Sequence, residues 1–208
     1  MKTRIFNLII IDESGSMWSI KKEAIDNVNE TIQTIRSAQK KHEDQEHYVS
    51  VVTFNDEVKT VCDCVEVNEV VQLTDESYNP DCCTALYDAM GMSLNKLRKR
   101  VAEADKVIVT IVTDGYENAS KEFSCEAIKT LVDELKSKGW VFAYIGANQD
   151  VFKVAKSLSI GNAMSFCCSP EGTKEMTQKV NRSRESLFES ISKSCFSSDD
   201  ANENFFDY

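Results

Sequence analysis

Three oxygen-bearing side chains alternate near the start of the chain. Asp12, Ser14 and Ser16 lie in the segment Asp-Glu-Ser-Gly-Ser, which directly follows a mostly apolar run at residues 5–11. Such a run predicts a buried strand, and the polar segment after it predicts a tight turn at the strand's end. One carboxylate and two hydroxyls are hard oxygen ligands, which suit a hard cation such as Mg²⁺. The segment therefore predicts part of a cation site that other parts of the chain must complete.

A second carboxylate and a third hydroxyl stand where they could complete this site. Asp114 ends the apolar strand predicted at residues 106–113, and Thr84 begins a predicted helix after a long polar loop. In open α/β sheets, ligands bind beyond the carboxyl ends of the strands, where the connections diverge to opposite faces. If the two strands are neighbours, both carboxylates reach the same crevice. Each piece also has a purely structural interpretation, since Ser16 or Thr84 could cap a helix and Asp114 could belong to a turn.

The elements that must position these residues alternate between strand and helix. A valine-rich alternating segment at residues 58–67 follows the strand at 48–54 closely enough to predict a hairpin. The fold class expected is a doubly wound α/β domain with a mostly parallel six-stranded sheet, one antiparallel edge strand and helices on both faces. The remaining strands are predicted at residues 140–145 and 163–168, and the helices at 18–40, 84–101, 125–138, 148–158 and 171–194.

Length and composition indicate one domain. The 208 residues contain only two prolines and seven glycines, which argues against long linkers. We expect a single domain over residues 1–194, followed by an acidic tail at 195–208. The tail is expected to be solvated, with docking of Phe205-Phe206-Asp207-Tyr208 on the domain or on a partner as the alternative.

Charge and hydropathy exclude several classes of partner. The formal net charge is −10, so nucleic acid and anionic membrane surfaces are unfavourable partners. No apolar run is long enough to span a bilayer, and the first residues do not resemble an export signal. A cytoplasmic location is therefore expected.

The eight cysteines are predicted to be free, mostly buried thiols rather than a disulfide framework or a structural zinc site. The adjacent Cys82-Cys83 pair is the exception, because it falls in the polar loop before Thr84. A redox-sensitive loop is one interpretation of this pair, and a tolerated loop substitution is the other.

Three segments together resemble a known family, the von Willebrand factor A-type domain with a metal-ion-dependent adhesion site. They are Asp12-Glu13-Ser14-Gly15-Ser16-Met17, Thr84-Ala85-Leu86-Tyr87-Asp88-Ala89 and Val112-Thr113-Asp114-Gly115-Tyr116-Glu117-Asn118. Their order, spacing and predicted context agree with the family over residues 3–168. A further segment, residues 144–150, resembles stand-alone bacterial and phage-associated members, and so does the C-terminal helix. The chain has Cys82-Cys83 where many members have glycines.

The resemblance implies a cofactor and a kind of partner. Ser14, Ser16 and Thr84 would supply hydroxyl ligands to Mg²⁺ or Mn²⁺, and Asp12 and Asp114 would act directly or through water. A protein partner would complete the coordination shell with an aspartate or glutamate. The rim of such a site is expected to include Trp18, Asp81, Tyr116 and Glu117.

Two rim residues have alternatives, and so does the function. Trp18 could pack against its own helix, and Glu117 could anchor the loop that follows Asp114. A Mg²⁺-dependent hydrolase or phosphatase using Asp12 as nucleophile, and a structural domain without metal, are the alternatives to a binding module. Catalysis is not expected, because an Asp-x-Asp pair and a phosphate loop are absent from the sequence. The histidines, His42 and His47, are also predicted at the opposite end of the sheet.

Overall fold

A six-stranded sheet forms the centre of the computed structural model, which describes residues 2–207. The strand order is β3-β2-β1-β4-β5-β6. β1 pairs in parallel with both β2 and β4, whereas β2 and β3 form an antiparallel hairpin at the edge. The strands are β1 (Thr3–Asp12), β2 (Gln45–Phe54), β3 (Val58–Glu66), β4 (Lys106–Thr113), β5 (Val141–Gly146) and β6 (Asn162–Ser165).

Six α-helices cover the two faces of the sheet. α1 and α5 pack on one face, together with the short α6, whereas α2, α3 and α4 pack on the other. This confirms the predicted α/β class with one antiparallel edge strand. The helices are α1 (Lys21–Lys41), α2 (Leu86–Leu97), α3 (Cys125–Ser137), α4 (Val151–Ser157), α5 (Pro170–Ser192) and α6 (Ser198–Asn204).

β1 lies between two hydrophobic cores because successive side chains of a strand point to opposite faces. Its residues Ile5, Ile9 and Ile11 pack under α1 and α5, and Phe6 and Ile10 pack under α2. Burial on both faces explains why the strand is almost wholly apolar.

The carboxyl ends of β1 and β4 lie side by side. Ile11 is in register with Val112. Asp12, which ends β1, and Asp114, which directly follows β4, therefore lie at the same edge of the sheet. β1 connects to α1 on one face, and β4 connects through α3 to β5 on the other. The two carboxylates therefore lie at the point where the connections diverge, which is where such sheets bind ligands.

Several predicted boundaries are wrong, most of them near this edge. α2 begins at Leu86 rather than at Thr84, and it ends at Leu97 rather than at Val101. α4 is capped by Asp150, whose side chain accepts a hydrogen bond from the Lys153 amide, rather than by Asn148. Asn148 instead adopts a left-handed conformation with φ of 54°, which asparagine tolerates in turns. β6 is also shorter than predicted, because the chain leaves the sheet after Ser165.

The C-terminal segment is folded against the domain, so the prediction of a solvated tail is wrong. Ala201 of α6 and Phe205, which directly follows this helix, are completely buried, and α6 packs at the edge formed by β5 and β6. The Asn202 side chain accepts from the Phe142 amide at 3.1 Å and donates to the Trp140 carbonyl at 2.8 Å. The docking alternative is the correct one, although Tyr208 lies outside the described residues.

The cysteines are free, as predicted, but the expectation that most are buried is wrong. Cys82, Cys83, Cys167 and Cys195 are exposed, and the other four are half-buried. Cysteine can occupy these positions as a small polarizable side chain without being part of the core. No helix among residues 2–207 is long and apolar enough to cross a membrane.

Candidate functional site

The first loop of the site is organised around Asp12. Its carboxylate is fully buried and accepts two hydrogen bonds, from the Thr113 hydroxyl at 2.6 Å and from the Ser14 amide at 2.7 Å. The Ser14 bond closes a turn of the Asx type, in which an aspartate side chain binds the backbone two residues further on. Thr113, the last residue of β4, was not predicted to take part in the site.

Asp114 and Ser16 connect the two strand ends directly. The Ser16 hydroxyl donates to Asp114 Oδ1 at 2.5 Å, and it lies 3.2 Å from the Ser14 hydroxyl. Ser16 is exposed, whereas Ser14 and Asp114 are buried. Ser16 therefore acts as neither a helix cap nor an isolated surface residue, because its side chain faces the second carboxylate.

Thr84 is held in place by Asn118. The Thr84 amide donates to Asn118 Oδ1 at 2.9 Å, and the Asn118 amide donates to the Thr84 carbonyl at 3.0 Å. This reciprocal pair joins the loop before α2 to the loop after β4. Asn118 is the last residue of the segment 112–118, but nothing in the sequence indicated that it would hold Thr84 in place.

Gly115 separates the Thr84 and Ser16 hydroxyls. A Cβ atom added to Gly115 would lie 3.8 Å from Thr84 Oγ1 and 3.9 Å from Ser16 Oγ. Both hydroxyls therefore border the same small space beside Asp114. The structure brings all five predicted site residues to one edge of the sheet, namely Asp12, Ser14, Ser16, Thr84 and Asp114.

Burial changes the acidity of both carboxyl groups. It raises the pKa of Asp12 to about 6, although the hydrogen bonds from Thr113 and Ser14 act in the opposite direction. It also raises the pKa of Asp114, against the hydrogen bond from Ser16. Burial deprives the ionised form of each carboxyl group of hydration, and a nearby cation would compensate for this because it stabilises the negative charge.

Tyr78 and Asn79, which were not predicted to take part in the site, hold the first loop through hydrogen bonds. The buried Tyr78 hydroxyl donates to the Asp12 carbonyl, and Glu13 Oε1 accepts from the Asn79 amide at 2.5 Å. Both interactions fix the long loop of residues 68–83 to the end of β1. Tyr78 carried no signal in the sequence, because a single aromatic residue in a polar loop has no periodicity.

Glu117 anchors its own loop and does not point to the other site residues. Its carboxylate accepts from the Ser120 amide and hydroxyl, each at 2.7 Å, from the Ala119 amide at 2.9 Å and from the Tyr87 amide at 3.0 Å. Asp88 similarly accepts three backbone amides of residues 121–123. The anchoring interpretation of Glu117 therefore fits these contacts better than the rim interpretation.

The other three rim residues are exposed. Trp18 is 64% exposed with the Lys21 ammonium 5.3 Å from its ring centre, so it does not pack into the core. Tyr116 is 55% exposed, and its hydroxyl accepts from the Asp150 amide at 2.9 Å. Asp81 is exposed and accepts from the Cys82 amide. Phe152, two residues beyond Asp150, is also 64% exposed and was not predicted.

The five predicted site residues offer only oxygen atoms as ligands to a cation. Residues 2–207 contain no group of three or more His, Cys, Asp or Glu side chains that could hold a metal ion. His47 lies in the part of β2 that pairs with Ile5, at the opposite end of the sheet. A cation at the predicted site would thus depend on two carboxylates and three hydroxyls, a set that suits Mg²⁺ or Mn²⁺ better than a softer metal.

A family model of known proteins matches most of this chain. The model of the von Willebrand factor type A domain matches residues 8–184, a range that contains all five site residues and most of α5. No curated protein sequence gives a significant match.

Solved structures share the fold at low sequence identity. A von Willebrand factor type A protein from Catenulispora acidiphila is 16% identical with a TM-score of 0.54, over 85% of this chain and 42% of that one. The PilB minor pilin from Streptococcus sanguinis is 12% identical with a TM-score of 0.58, over 89% and 62%. The SpaC pilus adhesin from Lactobacillus rhamnosus GG is 12% identical with a TM-score of 0.64, over 90% and 30%. The chain thus spans less than two thirds of these proteins, and the likeness shows the fold alone.

Proposed function

Because the chain belongs to the von Willebrand factor type A domain family, we propose that this interaction module binds protein partners through a divalent cation. The cation would be Mg²⁺ or Mn²⁺, and an aspartate or glutamate of the partner would complete its coordination. The observation that carries the proposal is the convergence of two buried carboxylates and three hydroxyls from three separate loops.

The residues present fit such a group. Asp12 and Asp114 lie in a desolvated environment that raises the pKa of each. Among residues 2–207, neither carboxylate takes part in a salt bridge. Ser14, Ser16 and Thr84 add neutral oxygens, which leave much of a divalent charge uncompensated. A bound cation would supply an electrophilic position for a carboxylate of another protein.

The surrounding loops explain how the site keeps its shape. Asn118 fixes Thr84, and Thr113 fixes Asp12. Such supporting hydrogen bonds orient the ligands of metal sites, and their loss commonly costs about 10-fold to 100-fold in affinity. Trp18 and Tyr116 stand exposed beside these loops and offer aromatic surface to a partner.

Binding is favoured over catalysis by the surroundings of Asp12. A nucleophilic carboxylate must reach the reacting atom of its substrate, but the Asp12 side chain is fully buried. A small cation could still be held by this carboxylate directly or through water. A hydrolase would also need a positioned base. His47 is at the far end of the sheet, where burial lowers its pKa to about 3.

Calorimetric titration with MgCl₂ tests the cation site. We expect saturable binding by the wild type and a large loss of affinity for Asp12→Ala and Thr84→Ala. Asp133→Ala and Thr130→Ala change the same residue types at exposed positions of α3 and serve as controls. Binding that is unchanged in both site variants would rule out the proposed site.

An array of short peptides tests the mode of partner binding. Each peptide presents one aspartate or glutamate and is paired with its asparagine or glutamine counterpart. We expect a subset of the acidic peptides to retain the protein in MgCl₂ and to release it in EDTA. Retention that ignores both the chelator and the carboxylate would contradict metal-dependent adhesion.

A further inference from the structure

Two consecutive thiols lie at the tip of the loop beside Thr84. Cys82 and Cys83 are both free and exposed. The pair is therefore accessible to solution reagents, and its two thiols stand on consecutive residues without a disulfide bond between them.

The same loop is attached to the first loop of the cation site. The Cys82 carbonyl accepts from the Gly15 amide at 3.2 Å, and the Asp81 amide donates to the Glu13 carbonyl at 2.9 Å. A Cβ atom on Gly15 would lie only 3.5 Å from the Cys82 carbonyl oxygen. A change in the backbone at Cys82 would consequently disturb the backbone at Gly15, which lies between Ser14 and Ser16.

The backbone of Cys82 is already in a conformation that side chains disfavour. Its φ is 63°, in the left-handed region, where a residue other than glycine pays about 1–2 kcal/mol. The bond from the Cys82 amide to Asp81 Oδ1 at 2.8 Å and the bond from Gly15 hold it there. A modest local rearrangement can therefore release this conformation.

We propose that Cys82 and Cys83 form a dithiol redox site in which a hydroperoxide produces a disulfide between them, and that this disulfide weakens cation binding at the adjacent loops. The second half of the proposal rests on the proposed function, whereas the oxidation itself does not.

The reaction balances with a hydroperoxide as the oxidant. The thiolate of one cysteine attacks the peroxide oxygen, the O–O bond breaks, and an alcohol or water leaves as the sulfur becomes a sulfenic acid. The second thiol then attacks that sulfur and expels water, so two thiols lose two hydrogen atoms and the peroxide is reduced.

Closing the disulfide must alter the backbone. Consecutive Cα atoms are about 3.8 Å apart across a trans peptide, whereas disulfide-bonded cysteines usually have Cα atoms about 4.4–6.8 Å apart. The small ring therefore imposes new dihedral angles on Cys82 and Cys83. We expect the Cys82 carbonyl to turn away from Gly15 and Thr84, which follows Cys83, to lose its position against Asn118.

The first experiment maps the oxidation. The protein is treated with hydrogen peroxide, its remaining thiols are alkylated, and its peptides are analysed by mass spectrometry before and after dithiothreitol. We expect the peptide with Cys82 and Cys83 to escape alkylation and to recover both thiols on reduction. Cys83→Ser should abolish this, whereas Cys195→Ser, which removes an exposed thiol after α5, should not.

The second experiment measures the consequence. Amide exchange followed by NMR should show faster exchange of the Gly15 amide after oxidation, and the Mg²⁺ affinity should fall by about 10-fold, as for lost supporting contacts. Both effects should be absent in Cys83→Ser.

Two results overturn the proposal. The first is that Cys82 and Cys83 are still fully alkylated after peroxide treatment, although other thiols of the protein have been oxidised. The second is that the disulfide forms but changes neither the exchange of the Gly15 amide nor the Mg²⁺ affinity. If the reduced wild type binds no Mg²⁺, the proposed function fails, while the mapping and the Gly15 exchange still decide the redox site.

Discussion

Thr84 and Asn118 exchange two hydrogen bonds across two loops that are far apart in the sequence. The Thr84 amide binds Asn118 Oδ1 at 2.9 Å, and the Asn118 amide binds the Thr84 carbonyl at 3.0 Å. Only the first of these needs the Asn118 side chain, so the contribution of that side chain can be tested separately.

Asn118→Ala should weaken Mg²⁺ binding by about 10-fold without unfolding the protein, because Thr84 loses a supporting contact. Calorimetric titration measures the affinity, and circular dichroism checks the fold. Asn95→Ala is the control, since Asn95 donates a comparable 2.7 Å bond to the Gly91 carbonyl within α2, in a different region of the fold. Equal affinity in the two variants would show that the Asn118 side chain does not position Thr84.

Mg²⁺ affinity should depend on pH near pH 6. Burial raises the pKa of Asp12 to about 6, and a proton on this carboxyl group competes with a cation. Affinity should therefore be constant well above pH 6 and should fall by about 10-fold for each pH unit below it. Titrations at several pH values from 5 to 8 measure this. A flat profile would mean that Asp12 does not bind the cation in its ionised form.

Tyr78→Phe should destabilise the fold by about 1–2 kcal/mol. The substitution removes a buried hydroxyl that donates to the Asp12 carbonyl, and it leaves that carbonyl with one partner fewer. Urea unfolding gives the free energy of unfolding. Tyr48→Phe is the comparison, because the half-exposed Tyr48 ring keeps its stacking on Phe6 and the change should stay within about 0.5 kcal/mol.

Asn202→Ala should detach the C-terminal helix from the sheet. Asn202 satisfies the buried Phe142 amide and the Trp140 carbonyl, so its loss should cost about 2 kcal/mol. The exposed Asn204 donates to Asp200 through its side-chain amide, and Asn204→Ala should cost less than about 0.5 kcal/mol. Urea unfolding compares the two, and similar losses would indicate that α6 contributes little.

His47 should make the fold less stable in acid. Burial, with His42 and Arg184 nearby, lowers the pKa of His47 from 6.5 to about 3. Between these values the unfolded chain binds a proton that the folded chain does not, so stability falls by about 1.4 kcal/mol for each pH unit below 6.5. This contribution is fully present above pH 6.5.

The Asp12 carboxyl group has the opposite effect on stability. Because its folded-state pKa is raised, the folded chain holds the extra proton between about pH 6 and pH 4, which favours folding as the pH falls. The two contributions are separated by comparing the wild type with His47→Gln in urea at pH 7 and pH 5, without divalent cations. The variant should lose about 2 kcal/mol less over this range, and equal losses would mean that His47 does not remain neutral.

The hydrophobic pattern of the sequence was sufficient to predict the layers of the fold. Residues 5–11 and 106–113 are mostly apolar on both faces because each strand lies between two layers of helices, and this hydrophobicity is a local property of the residues. The boundaries were less predictable. Thr84 looked like the start of a helix, but its amide is held by Asn118, so α2 starts at Leu86.

Three features of the site can be read from the order of the residues alone. Carboxylates end two buried strands, hydroxyls alternate after the first strand, and a polar loop leads to Thr84. Packing of the elements was needed to show that β1 and β4 are neighbours, that Asn118 binds Thr84, that Tyr78 supports Asp12 and that α6 docks on the sheet. The physical reason is that periodicity records whether a residue faces the core or the solvent. It does not record which distant loop supplies a hydrogen-bond partner, because that depends on how the elements pack.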